Sequence, residues 1–434
     1  MYAIVAISNM NVMKKFITSI VIASLTLLAI NGFCETPSQK QISQWQQAAA
    51  QGNSEAQLNL GYAYDHGEGV KQDYAEAIKW YRLSAAQGDV KAQFNLGVMY
   101  YNGEGVKQDY AEAIKWFRLL ATQGDAIAQF NLGVMYYNGE GVKQDYTDAL
   151  KWFQLSAAQG NAMAQNNLGV MYAKGEGVQQ DYAEALKWHR LSAAQGNAMA
   201  QNNLGAMYYK GEGVEQDYVE ALKWYRLSAA QGDAVAQWIL GLMYYEGQGV
   251  RQDYGEAIKW YRLSAAQEDA KAQYNLGLMY YNGEGVKQDY AEALKWHRLS
   301  AAQGNAMAQN NLGAMYAKGE GVQQDYAEAL KWHRLSAAQG DATAQGILGL
   351  MYCEGYGVRQ NYGEALKWYR LSAAQGNAGA QYNLGLMYYN GTGVRQSKAI
   401  AKEWFGKACD NGFQDGCDAY RELNEAGAKT NRSR

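Results

Sequence analysis

The chain is poor in proline, histidine and cysteine and has no excess of either charge, and each shortage removes a class of protein. Proline occurs once, at Pro37, so nothing after it carries the residue that most reliably breaks a helix. The four histidines (His66, His189, His297 and His333) and four cysteines show no metal-ligand spacing, so no metal or other cofactor is expected. With 39 basic and 42 acidic residues the formal charge is −3, and the unit Asp89 to Gly124 balances its own acids and bases. No basic stripe exists to neutralise phosphates, which argues against a nucleic-acid partner. Ser-x-x-Lys, Gly-x-Ser-x-Gly and His-Glu-x-x-His are all absent, so no hydrolase motif is present.

Long apolar runs are also scarce. Phe16 to Ile30 is apolar and uncharged, follows Lys14 and Lys15, and has the length of a secretory h-region. It falls short of the roughly 20 residues that cross a bilayer. Residues 1–34 therefore read as a signal peptide, with Met13 a second candidate start. Small Gly32 and Cys34 favour cleavage before Glu35, and bulky Phe33 disfavours lipidation of Cys34. Export to a periplasm, or beyond it to the cell surface or medium, follows, with no membrane span after cleavage.

What the chain has in abundance is punctuation and aromatics: 48 glycines, 35 tyrosines and 12 tryptophans. Trp80, Trp116, Trp152 and seven more tryptophans to Trp404 recur every 36 residues, and so do Gly61, Gly97, Gly133 and seven more glycines to Gly385. Two columns of ten define a repeat, and repeated units stack into one body without separate cores. In Asp89 to Gly124, an Asp89 cap opens helix A, whose Ala92, Leu96, Met99 and Tyr100 share one face. Gly97 permits a close helix approach there. Gly103 and Gly105 end it. Asp109-Tyr110-Ala111-Glu112 reads as a capping box for helix B, with Ala113, Trp116, Phe117, Leu120 and Ala121 as its apolar stripe. Glu268 replaces the turn glycine in one unit.

Ala92-Gln93, Leu96-Gly97, Met99-Tyr100, the Gly103/Gly105 loop, Asp109-Tyr110, Ala113 and Lys115-Trp116-Phe117 together resemble the Sel1-like repeat, a relative of the tetratricopeptide repeat. One departure is consistent: Lys71, Lys107 or Gln179 stands where that family often has proline. The resemblance implies an all-α fold, a right-handed α-solenoid of about ten antiparallel helix pairs over residues 53–412 that gathers protein partners. Capping helices are expected at 35–52 and 413–427, and a disordered tail at 428–434. Cys409 and Cys417 bracket the turn at Asp410-Asn411-Gly412-Phe413. In cysteine-rich relatives this C-x7-C arrangement is a disulfide, and an oxidising compartment suits one. Cys353 is left over.

On a helical wheel Phe94, Val98 and Tyr101 lie opposite the core face of helix A. In the resembling folds this face lines a concave groove, which makes Phe94, Val98, Tyr101, Phe130, Tyr137, Tyr209, Trp238, Tyr245, Tyr274, Tyr281, Tyr382 and Tyr389 the candidate protein-binding residues. Exposed tyrosine and tryptophan give contact area at low entropy cost. Packing of the same rings between neighbouring A helices would satisfy the pattern equally well. The tryptophan column reads as core, His189, His297 and His333 as scaffold, and the Gly-x-Gly loops as turns. The leading function is a monomeric, non-enzymatic scaffold for protein partners, with host-cell interaction as one variant. A β-lactamase-type hydrolase, suggested by the cysteine-rich relatives, and self-assembly through the caps or Cys353 are the alternatives. Residues 162–196 and 306–340 differ only at Val170 against Ala314, which points to recent duplication.

Overall fold

The computed structural model describes residues 36–432, and their regular structure is 22 helices with no strand among the described residues. The expected signal peptide lies outside the described residues. Two compact units divide between Asp217 and Tyr218. The first holds an opening helix, Gln39–Ala50, and the helices from Ser54–His66 to Ala198–Lys210. The second runs from Tyr218–Ala230 to Gln414–Arg432. Within each unit a helix packs on those just before and after it in sequence and barely beyond them, which is an α-solenoid.

In the second repeat helix A is Val90–Asn102 and helix B is Tyr110–Thr122. The Asp89 carboxylate accepts the Ala92 N–H at 2.8 Å, and the Asp109 carboxylate accepts the Glu112 N–H at 3.0 Å. Gly103 ends helix A at φ 80°, its N–H donating to the Met99 carbonyl. The capping box is only half formed. Glu112 does not fold back on its cap but pairs with Lys115 at 2.6 Å, because a lysine one turn on offers a better partner. The opening helix, with Ser38 and Gln41, does make the reciprocal box.

Ala92, Leu96 and Met99 of helix A are buried together with Ala113, Ile114, Phe117, Leu120 and Ala121 of helix B. A Cβ added at Gly97 would meet the Phe117 ring at 2.8 Å, so glycine there sets how closely the pair packs. The tryptophan column is less central than its periodicity suggests. Trp116 is half-buried, covering the edge of the cluster of Ala77, Ile78, Tyr81, Ala92, Leu96 and Met99. The ring that fills the joint belongs to the next residue, fully buried as Tyr81, Phe117 and Phe153 beneath the glycine.

Polar ties join the helices. Gln129 donates to the Ala121 carbonyl of the preceding helix at 3.1 Å and accepts from Gln159 at 2.8 Å. Ser156 donates to the Ala126 carbonyl at 2.6 Å, and Arg118 to the Tyr136 hydroxyl at 2.6 Å. Polar side chains, buried in Gln129 and Ser156 and exposed in Arg118, thus serve as fasteners. Glu268 takes the glycine's left-handed backbone at φ 65°, a conformation costing a non-glycine residue about 1 kcal/mol.

At the end of the second unit a disulfide joins Cys409 to Cys417 across the turn between Lys398–Asp410 and Gln414–Arg432, with Cα atoms 4.5 Å apart. The closing helix runs past 427, through most of the stretch expected to be disordered. Ala426, Ala428 and Lys429 favour helix, and no proline interrupts them.

Candidate protein-binding face

The twelve candidate residues sit on the A helices, on the side turned away from Leu96 and its equivalents. Tyr101, Phe130 and Tyr209 are buried, Tyr389 is exposed, and the remaining eight are half-buried. Most of these rings also make internal contacts. In the first column Phe94 lies 5.7 Å from Phe117, Phe130 5.9 Å from Phe153, Tyr274 5.7 Å from His297 and Tyr382 5.5 Å from Phe405. Each therefore packs, tilted or edge-on, against the ring that fills its own repeat's joint. Trp238 carries the Lys271 ammonium of the next A helix 4.4 Å above its ring.

The third column works as a set of clamps. The Tyr101 hydroxyl donates to Glu140 of the next repeat at 2.9 Å while its ring meets Tyr110 at 5.1 Å. Tyr137 does the same with Glu176 at 2.7 Å and Tyr146 at 5.1 Å. In the second unit Tyr245 uses Glu284 and Tyr254 at 2.9 and 5.2 Å, and Tyr281 uses Glu320 and Tyr290 at 2.8 and 5.1 Å. Burial first, then the adjacent carboxylate, pushes the ionisation of all four phenols upward, so they remain hydrogen-bond donors. Sequence reasoning missed the glutamates. Their signal is the Gly-Glu-Gly loop, whose acid recurs 39 residues after each tyrosine.

The histidines beside the tryptophans are core residues. His189 and His333 stand in the Phe117 position with Nδ1 3.1 and 3.0 Å from the Oδ1 atoms of Asn166 and Asn310. His297 is fully buried with neither ring nitrogen hydrogen-bonded. Burial lowers all three to about 4. Among the described residues no cluster of three His, Cys, Asp or Glu could hold a metal ion, and no helix is long and apolar enough to cross a membrane. Cys353, the third-column residue of its repeat, is half-buried, and burial pushes its thiol up.

A second surface, which sequence reasoning did not single out, lies on the B helices. Leu83, Leu119, Leu155 and Leu191 in the first unit, and Leu227, Leu263, Leu299, Leu335 and Leu371 in the second, are each 40–50 % exposed. A leucine in every repeat but one at that exposure is a periodic apolar row.

The Sel1 repeat model matches ten consecutive segments from residue 54 to 413. Among solved structures the chain is similar to a protective antigen of uropathogenic Escherichia coli strains that displays an SLR fold, at 37% identity and a TM-score of 0.61. That match covers 89% of this chain and 90% of the other. It is also similar to a Sel1 repeat protein from Oxalobacter formigenes, at 35% identity and a TM-score of 0.56, covering 71% of this chain and 90% of that one. No curated protein matches the chain.

Proposed function

The chain belongs to the Sel1 repeat family, whose helical scaffold is typical of protein–protein interaction, and from that premise we propose that it is an exported adaptor binding protein partners along the A-helix face. The observation that carries this reading is the contrast between copied and varied positions. Core columns such as Ala92, Leu96, Gly97 and Met99 repeat almost unchanged. The first column of the opposite face changes from Phe94 to Asn202, Trp238, Tyr274, Gly346 and Tyr382. A constant frame presenting a varied row of aromatic, amide and small side chains is what recognition of an extended partner requires.

Export is supported by the Cys409–Cys417 disulfide, which suits an oxidising compartment, and by the signal-like segment Lys14 to Ile30. The likeness to a protective antigen of pathogenic strains makes host-facing display part of the proposal. No chemistry is assigned: among the described residues the buried histidines His189, His297 and His333 are dispersed one to a joint, with no second acid, base or nucleophile set against them. A pure chain that hydrolysed a chromogenic β-lactam would contradict that assignment.

The test is cross-linking capture from periplasmic extract and from host-cell surface proteins with three full-length chains: wild type, L350D/Y389A on the A-helix face, and L263D/L299D on the leucine row. Leu350 and Tyr389 are exposed and make no repeat-to-repeat clamp, so this pair spares the frame. Loss of a partner in the first variant alone supports the reading. Loss in the second alone moves the site to the B helices, which the exposed leucines favour as the second reading. Capture by neither wild type nor variants contradicts both.

A further inference from the structure

The clamp of the third column is broken in one repeat in an informative way. Ala173 stands where Tyr101 and Tyr137 stand in the two preceding repeats. The other two parts of the clamp remain: Tyr182 at the start of the B helix and Glu212 in the next Gly-Glu-Gly loop. Tyr182 is half-buried, its hydroxyl accepts from Gln180 at 3.1 Å, and no ring stacks on it. Glu212 is met by Lys210 at 3.5 Å and its side chain is 34% exposed. Glu176, covered by Tyr137, is 22% exposed. An aromatic face and a carboxylate are thus set out as in the intact clamps, with a methyl group in place of the phenol between them.

The second unit shows that the uncovered tyrosine face attracts a ring. Ala317 makes the same substitution, but there the loop residue is Tyr356 instead of glutamate, and its ring stacks on Tyr326 at 5.0 Å. That notch is filled from within the chain. The other departures differ: the first repeat keeps Tyr74 and Glu104 but sets a charged group, not a methyl, between them. Asp65 in the first repeat puts an acid beside Glu104, and Cys353 is followed by Thr392 where the glutamate would be. Among the described residues, the Ala173 notch alone keeps ring and carboxylate with only a methyl group between them.

We propose that the notch formed by Ala173, Tyr182 and Glu212 is a docking point for a tyrosine side chain of a protein partner. The partner's ring packs at a tilt against Tyr182 and its hydroxyl donates to Glu212, reproducing between two chains the clamp that Tyr137 makes within one. Lys210 rotates off the carboxylate to admit it, an exchange between solvent-accessible groups that costs little. This rests on the protein-binding reading and names the chemistry of one subsite within it.

The probe is N-acetyltyrosinamide, added to the full chain carrying ¹³C-methyl alanine, with the Ala173 and Ala317 methyl signals followed by NMR. A saturable shift of the Ala173 methyl, with Ala317 unmoved, is expected, and N-acetylphenylalaninamide binds about tenfold more weakly without the charge-assisted hydrogen bond. A173Y, which fills the notch from within, should abolish binding while raising the thermal midpoint, the sign that it folds. Y356E, which restores a glutamate beside Tyr326 and Ala317, should make the Ala317 methyl respond too. An Ala173 methyl that does not move up to the solubility limit, or equal response to both probes, overturns the proposal. If the wild-type chain still captures protein partners in that event, the adaptor reading stands and only the notch falls.

Discussion

Repeat 162–196 in the first unit and repeat 306–340 in the second are the same sequence but for Val170 against Ala314, and yet their surroundings differ. In the first, Asn166 accepts from Asn203 of the next repeat as well as meeting His189, and Tyr182 has no ring above it. In the second, Asn310 meets His333, Ile347 stands where Asn203 would be, and Tyr356 covers Tyr326. One repeat presents an open polar notch and its copy a closed aromatic one. In a solenoid, each unit's face is completed by its neighbour, so duplicating a repeat does not duplicate its surface.

The shared buried histidine gives the largest effect. In His189, His297 and His333 the folded value is about 4 against 6.5 for the free group, so between those limits the unfolded chain binds more protons. Stability therefore falls as pH drops from about 6.5 and the loss is complete below about 4. From pH 7 to 4.5 the cost is about 2 kcal/mol for each histidine. Urea midpoints should drop steeply for wild type and much less for H189F/H297F/H333F; equal drops would show that carboxylates dominate the acid limb.

At neutral pH the single changes should part company. H333F leaves the half-buried Asn310 amide to water, whereas H189F leaves Asn166 its bond from Asn203, so H333F should be the more destabilising, by up to about 1 kcal/mol. A173Y should gain about 1 kcal/mol by completing a clamp. A317Y should gain nothing, because Tyr356 already occupies the place. Thermal or urea midpoints of the four variants read these differences directly. V170A, which makes the two repeats identical, removes methyl groups from a half-buried side chain and should cost less than about 1 kcal/mol. A larger loss would mean that the repeats differ in more than their neighbours.

The frame was legible because its signals are local and copied: Asp89 and Asp109 cap the helices they were expected to cap, and Gly103 ends helix A. What was not legible is how columns meet across repeats. Period alone puts the tryptophan column in the core, and only the packing shows that the Phe117 ring fills the joint while the Trp116 indole covers its edge. Likewise Tyr101 looked like groove lining on a helical wheel. Its partner Glu140 lies in a loop 39 residues on, in another repeat, which no single-helix projection brings near. At the chain's end the last helix continues through 428–432, where Ala428, Lys429 and Arg432 favour helix although Thr430 and Asn431 do not.

The account stands or falls on whether partners meet the A-helix face. Peptide-resolved hydrogen exchange of the full chain, alone and saturated with the partner captured by cross-linking, measures this directly. The account predicts added protection in A helices such as Ala162–Lys174 and Ala306–Lys318 and in the Gly-x-Gly loops that follow them, with the exposed-leucine B helices unchanged. Protection confined to the B helices Tyr182–Ala194 and Tyr326–Ala338 and their equivalents would contradict it and make the leucine row the working surface.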